Sequence, residues 1–238
     1  MSKGLFIVGT GTDVGKTYVT GLLLKLLWEG NKSAAYYKAA VSGNERDETG
    51  ELIPGDAVRV KRLSGIVQPV ETMCPYLYEQ AVSPHLAARL ETDRESVDME
   101  VVRRGFYRLA KEYEYVTMEG SGGILCPLRI DADHPERDLW LEDVIKGLDL
   151  PCLLVADAGL GTINSVILTV RYMQSIGLRV KGIIMNHYHA GNVMEEDNRY
   201  MCERMTGIPV IGTVSDEGDR VELERTKIET LYEEIKNA

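Results

Sequence analysis

The sequence predicts an α/β fold in which helices cover both faces of a doubly wound, mostly parallel sheet. Short apolar runs alternate with longer segments of helical periodicity along the 238 residues, as expected when buried strands are joined by crossover helices. The first apolar run, 5–8, leads directly into a glycine-rich loop and then into a leucine-rich helical segment. That order of strand, loop and helix is typical of the P-loop nucleoside triphosphate hydrolase type of fold.

Each predicted element rests on a local pattern of side chains. Strands are assigned to short, mainly apolar runs bounded by glycine or a polar residue, and they are expected at 4–9, 33–37, 114–118, 151–157, 180–185 and 208–212. Helices are assigned where apolar residues recur every three or four positions, and they are expected at 16–29, 56–64, 84–91, 97–112, 140–147, 164–176, 194–206 and 221–236. Ligands of such sheets collect beyond the carboxyl ends of the strands, so the residues after each strand are the candidates for a functional site.

Length, composition and charge predict one domain, 1–238. With 44% hydrophobic and 27% charged residues, the chain is long enough to bury one substantial core. Its net charge of -10 and its isoelectric point near 5.0 oppose binding to nucleic acid or to an anionic membrane, because like charges repel each other.

The cysteines and the first residues predict the compartment. Cys74, Cys126, Cys152 and Cys202 are far apart and form no CxxC pair, so neither a metal cluster nor a disulfide framework is expected. Residues 1–3 lead directly into the first predicted strand, so we expect neither a leader nor a membrane span. We therefore expect a cytoplasmic protein.

Residues 9–17, with the sequence Gly-Thr-Gly-Thr-Asp-Val-Gly-Lys-Thr, are a candidate phosphate-binding loop. Backbone N–H groups of such a loop and the positive end of the following helix surround phosphate oxygens. Lys16 adds a mobile positive charge, and the Thr17 hydroxyl suits a magnesium ion bound to the outer phosphates. Thr10 stands where the strict spacing requires glycine, so the loop is a variant. The alternative, a glycine turn with an incidental lysine, is disfavoured by the flanking strand and helix.

Lys38 and Ser42 follow the second strand, at the same edge of the sheet as the phosphate loop. Both side chains are candidates to face the phosphates, and the alternative for Lys38 is an ordinary surface lysine at a strand end. The polar stretch 44–55 predicts a mobile loop that could cover a site. Asp56 follows this loop at the start of a helix, where it either caps the helix or binds magnesium.

Glu119 follows the third strand and precedes the glycine-rich segment 120–123. Glycines permit the backbone to approach a ligand closely, and an acid at this strand end holds magnesium in many nucleotide-hydrolysing sheets. Glu119 is therefore the strongest carboxylate candidate for a metal ligand. The alternative is a tight turn beside a solvated glutamate.

The fourth strand ends at Asp157, and the segment 158–165 then opens a helix. Free N–H groups at that helix start could receive a carboxylate. Thr162 and Asn164 could equally cap the helix through their side chains.

Asn186 follows the fifth strand and precedes His187 and His189. The amide of Asn186 carries donors and an acceptor that suit the edge of a nucleobase, and the absence of an Asn-Lys-x-Asp signature favours adenine. Two histidines at this spacing can ligate a metal, but no cysteine or carboxylate partner is evident beside them, so a metal site is disfavoured.

Taken together, these motifs resemble those of dethiobiotin synthetase, the ATP-dependent ring-closing enzyme of biotin synthesis. The resemblance covers most of the chain, and the motifs agree in order and spacing. They are Gly9-Thr10-Gly11-Thr12-Asp13-Val14-Gly15-Lys16-Thr17, Tyr37-Lys38 with Ser42-Gly43, Asp56-Ala57, Ser83-Pro84-His85, Glu119-Gly120-Ser121-Gly122-Gly123, Leu160-Gly161-Thr162-Ile163-Asn164 and Asn186. The resemblance implies 7,8-diaminononanoate, carbon dioxide and MgATP as substrates, and dethiobiotin, ADP and phosphate as products. It also implies a homodimer.

The resemblance further implies a role for each candidate residue, in a reaction that passes through a carbamate and a carbamic–phosphoric anhydride. The implied catalytic residues are Lys16, Lys38, Thr12 and Ser42. The implied magnesium ligands are Thr17, Asp56 and Glu119. The implied nucleotide contacts are Asp13, Val14, Gly15, Lys16, Thr17, Glu119, Gly120, Ser121, Gly122 and Asn186. The segment Gly161–Asn164 is implied to bind the carboxylate of the aliphatic substrate across the dimer interface.

The chain departs from the family's pattern at three positions or pairs. Gly11 stands where the family often has an acid, and Val8 stands where it often has threonine. Val214-Ser215 stands where the family usually continues with an Ile-Pro pair that contacts adenine. We therefore expect a relaxed preference among nucleoside triphosphates.

Two other classes of protein share parts of this pattern. Partition and metal-cluster-carrier ATPases have a variant phosphate loop, but theirs typically carries an additional lysine where this chain has Gly11, and the cysteine pair of a cluster carrier is absent. ATP-dependent amide-forming enzymes of the cobyrinate type usually append a glutamine-hydrolysing domain, for which 238 residues leave no room.

Overall fold

The structure is a computed structural model that describes residues 1–216, 218–223 and 225–236. Its strands are β1 (Lys3–Gly9), β2 (Ala34–Lys38), β3 (Ala40–Val41), β4 (Tyr76–Leu77), β5 (Tyr115–Gly123), β6 (Pro127–Arg129), β7 (Leu139–Trp140), β8 (Cys152–Asp157), β9 (Val180–Asn186), β10 (Val210–Val214) and β11 (Glu233–Glu234). Its α-helices are α1 (Lys16–Glu29), α2 (Gly55–Ser64), α3 (Pro84–Leu90), α4 (Met99–Glu112), α5 (Leu141–Leu148), α6 (Thr162–Ser175), α7 (Val193–Thr206) and α8 (Arg225–Leu231). Short 3-10 turns lie at Val70–Thr72 and Pro135–Arg137.

The central sheet has the strand order β10, β9, β8, β1, β5, β2, and all of these neighbours pair in parallel. The short strand β11 pairs with the beginning of β1 in the antiparallel direction. This confirms the predicted α/β class with a mostly parallel sheet. Because β1 has β5 on one side and β8 on the other, the connections diverge there, and the carboxyl end of β1 is the place where such sheets bind ligands.

Helices cover both faces of the sheet, and each face has its own apolar core. One core joins β1, β5 and β8 to α4, α5 and α6, and it includes Phe106, Val144 and Val166. The other joins the same sheet to α1, α2 and α8, and it includes Leu23, Val60 and Ile228. Burying one leucine or valine side chain completely contributes about 1.5–3 kcal/mol, so these two layers hold the strand ends that carry the site.

The structure differs from the prediction at the third strand. β5 continues to Gly123 instead of ending at 118, so Glu119 lies within the strand and not after it. Glu119 pairs with Lys38 of β2 and with Ile7 of β1, and Gly123 pairs with Gly9 of β1. The strand persists because its backbone has partners at both ends of the segment 119–123.

The predicted helix at 221–236 is wrong over much of its length. Before α8, Glu222 forms an isolated β-bridge with Thr213, and after it Glu233–Glu234 forms β11. Residue 224 lies outside the described residues. The physical reason is pairing with distant strands. The segment gains backbone hydrogen bonds to β10 through Glu222 and to β1 through β11, and a continuous helix would lose both.

The segment 44–55 was predicted as a mobile loop, and the structure describes it as a turn with defined hydrogen bonds. The Asp47 carboxylate accepts hydrogen bonds from the backbone N–H groups of Thr49 and Glu51. Arg46 forms an isolated bridge with Leu52.

None of the helices in the described part of the chain is long and apolar enough to cross a lipid bilayer.

Candidate active site

A cleft of about 880 Å³ opens at the carboxyl ends of the central strands. Its walls come from the loop after β1, the ends of β2 and β5, the first turn of α2 and the end of β9. These are the positions at which the strand-end rule predicted functional side chains.

The phosphate loop is shaped by two residues with positive φ, Asp13 at 60° and Gly15 at 87°. Gly15 is required for a second reason, because a Cβ atom there would lie 2.1 Å from Nδ2 of Asn186. Lys16 is buried, and its Nζ donates a hydrogen bond to the carbonyl oxygen of Gly11 at 2.8 Å. This hydrogen bond holds the Lys16 ammonium group against the phosphate loop, where it could bind an anion that enters the loop.

The second lysine, Lys38, lies between two carboxylates. Its Nζ is 2.6 Å from Oδ2 of Asp56 and 2.7 Å from Oε1 of Glu119. Lys38 is 5% exposed and Glu119 is 1% exposed, so this is a buried ion-paired cluster. It is not the ordinary surface lysine that was the alternative from the sequence.

The charges of this cluster are mutually dependent. Burial alone would lower the pKa of Lys38, but Glu119 and Asp56 outweigh burial and raise it. Burial would raise the pKa of Asp56, but Lys38, Thr17 and Lys16 together outweigh burial and lower the pKa. For Lys16, burial dominates and lowers the pKa, and the positive charge of Lys38 lowers it further. The cleft thus holds two cations beside two acids, with the cation of Lys38 already compensated.

Asp56 does not cap its helix. The residue at the cap position of α2 is Pro54, no side chain caps the helix, and Asp56 lies in the first turn. Its carboxylate instead bonds to Lys38 and lies 3.2 Å from Oγ1 of Thr17. The helix-cap alternative is therefore wrong.

The oxygens of Thr17, Asp56 and Glu119 fit a magnesium site. Oγ1 of Thr17 donates to Oε1 of Glu119 at 2.8 Å, so one hydroxyl and two carboxylates converge. Among the described residues, no group of three or more His, Cys, Asp or Glu side chains could hold a metal ion alone. A donor set of this kind suits a magnesium ion that keeps water and phosphate oxygens as its other ligands.

Three hydroxyl side chains complete the cleft wall. The Oγ atom of Ser42 is buried and has no hydrogen-bond partner among the described residues, which leaves it available to a ligand. Ser121 donates its hydroxyl to the carbonyl oxygen of Ala40 at 2.7 Å, which ties β5 to the end of β2. Thr12 is exposed at the tip of the phosphate loop.

Comparison with known proteins identifies the family. A family model described as an AAA domain matches residues 3–222. A protein of Brachyspira hyodysenteriae named ATP-dependent dethiobiotin synthetase BioD is 42% identical over 98% of this chain and 100% of its own. The protein of that name from Clostridium novyi is 42% identical over 99% of this chain and 98% of its own. The chain belongs to the dethiobiotin synthetase family. It is accordingly an enzyme, a ligase.

Solved structures that resemble this chain show the fold shared beyond the synthetase family. The MinC:MinD cell division complex of Aquifex aeolicus matches with a TM-score of 0.54 and 13% identity, over 91% of this chain and 82% of that one. A ParA family ATPase of Chlorobium tepidum matches with a TM-score of 0.52 and 14% identity, over 92% and 85%. At these identities the likeness concerns the fold alone.

Most of the residues to which the synthetase resemblance gave roles line this one cleft. They are Thr12, Asp13, Gly15, Lys16, Thr17, Lys38, Ser42, Asp56, Glu119, Ser121, Gly122 and Asn186. Val14 and Gly120 are not among the lining residues: Val14 packs against the apolar core, and Gly120 lies against Leu141. The segment Gly161–Asn164 lies elsewhere, at the start of α6, with Thr162 buried.

Asn186, which the resemblance to the synthetases implies as a nucleotide contact, is one of the residues that line the cleft. Asn186 is 2% exposed, and its Nδ2 already donates to the carbonyl oxygen of Val14 at 3.3 Å. His187 bonds to Asp216, and His189 bonds to both Asp216 and Glu195. The two histidines therefore do have carboxylate partners, contrary to the sequence analysis, because residues distant in the chain fold back beside them.

We expect turnover with GTP and CTP to lie within about tenfold of turnover with ATP, because the described residues offer few uncommitted polar groups to read a base. His187 and Asp216 are paired with each other, and Asn186 uses one donor within the protein. Rates at equal nucleotide concentrations test this. Activity restricted to ATP would contradict it.

The sequence analysis gave no role to Arg59 and Cys126, which line the cleft, or to Tyr36, which is buried behind Glu119. Tyr36 donates its hydroxyl to Oε2 of Glu119 at 3.0 Å, and its place two residues before Lys38 on one strand face was an available signal. Arg59 lies one helical turn after Asp56 and also lines the cleft, at a spacing that shares a helix face. Cys126 lines it too, and burial raises the pKa of its thiol to about 11. No sequence signal pointed to Cys126.

Proposed function

We propose that this protein carboxylates 7,8-diaminononanoate and closes the ring to form dethiobiotin in biotin biosynthesis, with ATP consumed to ADP and phosphate. The observation that carries the proposal is the buried lysine Lys38, held between Asp56 and Glu119 beside a phosphate loop. Relatives of that name, 42% identical over nearly the whole chain, support it. A further proposal is that residues 1–238 act as one domain, which the sheet spanning β1 to β11 supports.

The proposed chemistry has three steps. One amine of the substrate adds to carbon dioxide and loses a proton, which gives a carbamate. A carbamate oxygen then attacks the γ-phosphorus of ATP, ADP leaves, and a carbamic–phosphoric anhydride forms. The second amine attacks the carbonyl carbon, phosphate leaves with the bonding electron pair, and the amine's proton is released. Every bond is made between substrates, so no protein nucleophile is required.

The main physical obstacle to this reaction is the repulsion between the anionic groups of the substrates, and the charged residues of the cleft reduce it. Two anionic groups about 4 Å apart repel by about 4 kcal/mol at an effective dielectric near 20. In the proposed mechanism Lys16 neutralises the β- and γ-phosphates and the carbamate, and Lys38 neutralises charge on the transferring phosphoryl group. Thr12 and Ser42 position the carbamate and phosphate through hydrogen bonds. The unpartnered hydroxyl of Ser42 supports that role.

Thr17, Asp56 and Glu119 would hold magnesium, which when bound supplies positive charge to the phosphate oxygens. The Thr17 hydroxyl and the two carboxylates already converge on one another. The proposed nucleotide contacts are the phosphate loop 13–17, the segment 119–122 and Asn186, which lie at the carboxyl ends of β1, β5 and β9.

We expect Asp56→Asn to raise the magnesium concentration needed for half-maximal rate by about tenfold, because the site loses a negative ligand. The affinity for the diamine should change less. Rates measured across a magnesium series at saturating ATP test this. An unchanged magnesium dependence would remove Asp56 from the metal site.

We also propose a homodimer in which Gly161–Asn164 of one subunit completes the substrate site of the other. The support is a set of exposed apolar side chains before α6, on α6 and at the start of α7: Leu160 is 92% exposed, Leu168 61% and Val193 80%. Exposed apolar side chains that form a contiguous patch are typical of interaction surfaces. Sedimentation of the purified protein measures its oligomeric state, and a monomer at micromolar concentration would contradict the proposed dimer.

The main alternative is a nucleotide-switched ATPase of the partition or metal-carrier type, a class that shares this fold. A cobyrinate-type amide-forming enzyme is the other. Purified protein incubated with 7,8-diaminononanoate, bicarbonate and MgATP separates these possibilities. Phosphate release that depends on the diamine, with dethiobiotin identified by mass spectrometry, supports the synthetase. Phosphate release that ignores the diamine defeats it.

A further inference from the structure

One of the two oxygens of the Glu119 carboxylate, Oε2, accepts a hydrogen bond from Tyr36. Among the described residues, no other side chain or backbone group is hydrogen-bonded to that oxygen. Tyr36 Oη donates to Glu119 Oε2 at 3.0 Å. Tyr36 is fully buried, and Glu119 is 1% exposed. In the register of β2 and β5, Tyr36 pairs with Thr117 and Lys38 pairs with Glu119. Tyr36 and Glu119 are therefore diagonal neighbours on one face of the sheet, within reach of a long side chain.

The two oxygens of Glu119 have separate partners. Oε1 faces the cleft, where it accepts hydrogen bonds from Thr17 at 2.8 Å and from Lys38 at 2.7 Å. Oε2 faces the core, where Tyr36 is its partner. A carboxylate bonded at both oxygens cannot rotate freely about its last torsion. The tyrosine therefore acts together with Thr17 and Lys38 to fix the direction of the cleft-facing oxygen.

The backbone of Tyr36 is itself held in place by a buried amide. Gln68 is fully buried, its Oε1 accepts from the backbone N–H of Tyr36 at 2.7 Å, and its Nε2 donates to the Tyr36 carbonyl oxygen at 3.0 Å. Nε2 also donates to Thr72. Both the main chain and the hydroxyl of Tyr36 are therefore fixed, which is what a group that orients another requires.

We infer that Tyr36 is a positioning residue that sets the Glu119 carboxylate for cation binding in the nucleotide complex. The inference rests on the proposed role of Glu119 as a magnesium ligand. Partners that hold a metal ligand from behind typically contribute 10–100-fold to metal affinity. Tyr36→Phe should therefore weaken cation binding by about tenfold or more, while the aromatic ring continues to fill the core.

Tyr37 provides a matched control. It is the next residue in β2, is 1% exposed, and packs against Phe106 on the opposite face of the sheet. Its hydroxyl is buried without a hydrogen-bond partner among the described residues. Tyr37→Phe removes the same atom from the same strand without touching Glu119.

The experiment measures Mn²⁺ binding to each protein in the presence of saturating ADP, by electron paramagnetic resonance of the free ion. ADP affinity without metal and the thermal midpoint are measured on the same samples. We expect Tyr36→Phe to bind Mn²⁺ about tenfold more weakly, with unchanged metal-free ADP affinity, and Tyr37→Phe to match the unsubstituted protein. Excess Mg²⁺ should restore most of kcat in Tyr36→Phe.

Two results would overturn the inference. One is equal Mn²⁺ affinity of Tyr36→Phe and the unsubstituted protein. The other is an equal loss in both variants, which would indicate general loosening of β2. Because Mn²⁺ binding with ADP does not require turnover, an unsubstituted protein that binds the ion normally but makes no dethiobiotin would remove the proposed function and leave this inference standing.

Discussion

Lys38→Gln is expected to lower kcat by about 10²-fold or more, with a smaller change in the KM for ATP. Lys38 is the cation at the centre of the cleft, within 2.7 Å of both acids. If it neutralises charge that develops on the phosphoryl group during transfer, its loss acts on the transition state more than on nucleotide binding. Steady-state kinetics at saturating magnesium, with diamine and bicarbonate in excess, measures the effect.

The same substitution should lower the thermal midpoint, because Asp56 and Glu119 lose the cation that they share. The fold is nevertheless expected to persist, and circular dichroism checks it. Arg46→Gln is the control, since Arg46 pairs with Glu79 at the surface, where such pairs contribute little. A Lys38→Gln protein that keeps near-normal kcat would exclude Lys38 from catalysis.

Lys16→Gln is expected to lower kcat/KM for ATP by about 10²–10³-fold, because kcat should fall and the KM for ATP should rise. Lys16 lies in the phosphate loop, and its ammonium group now donates to Gly11. Incoming phosphates offer it a stronger, charged acceptor. It should therefore contribute to ATP binding as well as to the transition state.

Lys25→Gln is the matched control for Lys16, because Lys25 is on the same helix and its side chain is 32% exposed. Its partner is Asp219, outside the cleft. Isothermal titration with ADP separates binding from chemistry. An unchanged ADP affinity together with normal turnover in Lys16→Gln would contradict the assignment.

The central sheet and most of the cleft could be predicted from the sequence because both depend on local patterns. Strand ends in a parallel sheet meet at one edge, so Lys38 and Glu119 could be grouped before any contact was known. The end of the chain could not be predicted, since pairing of Glu222 and of β11 with distant strands replaced much of the helix that its periodicity favours.

The contact between Tyr36 and Glu119 illustrates a second limit. Its existence depends on which strands are neighbours and in what register, and a strand pattern alone does not specify either. The partners of His187 and His189 were missed for the same reason, because Asp216 comes from a loop after another strand. Side chains that bond across elements are visible only once the topology is known.

Backbone groups on both outer strands of the sheet are hydrogen-bonded to other segments of the chain. At β2, the amide of Gln68 occupies the N–H and C=O of Tyr36, and the N–H of Lys38 donates to Met73. At β10, Glu222 donates its N–H to the carbonyl oxygen of Thr213. Unpaired margins are templates for accidental strand addition by another chain. Because these backbone groups of β2 and β10 are already hydrogen-bonded within the chain, a concentrated solution of this protein has fewer places at which fibrous aggregation can begin.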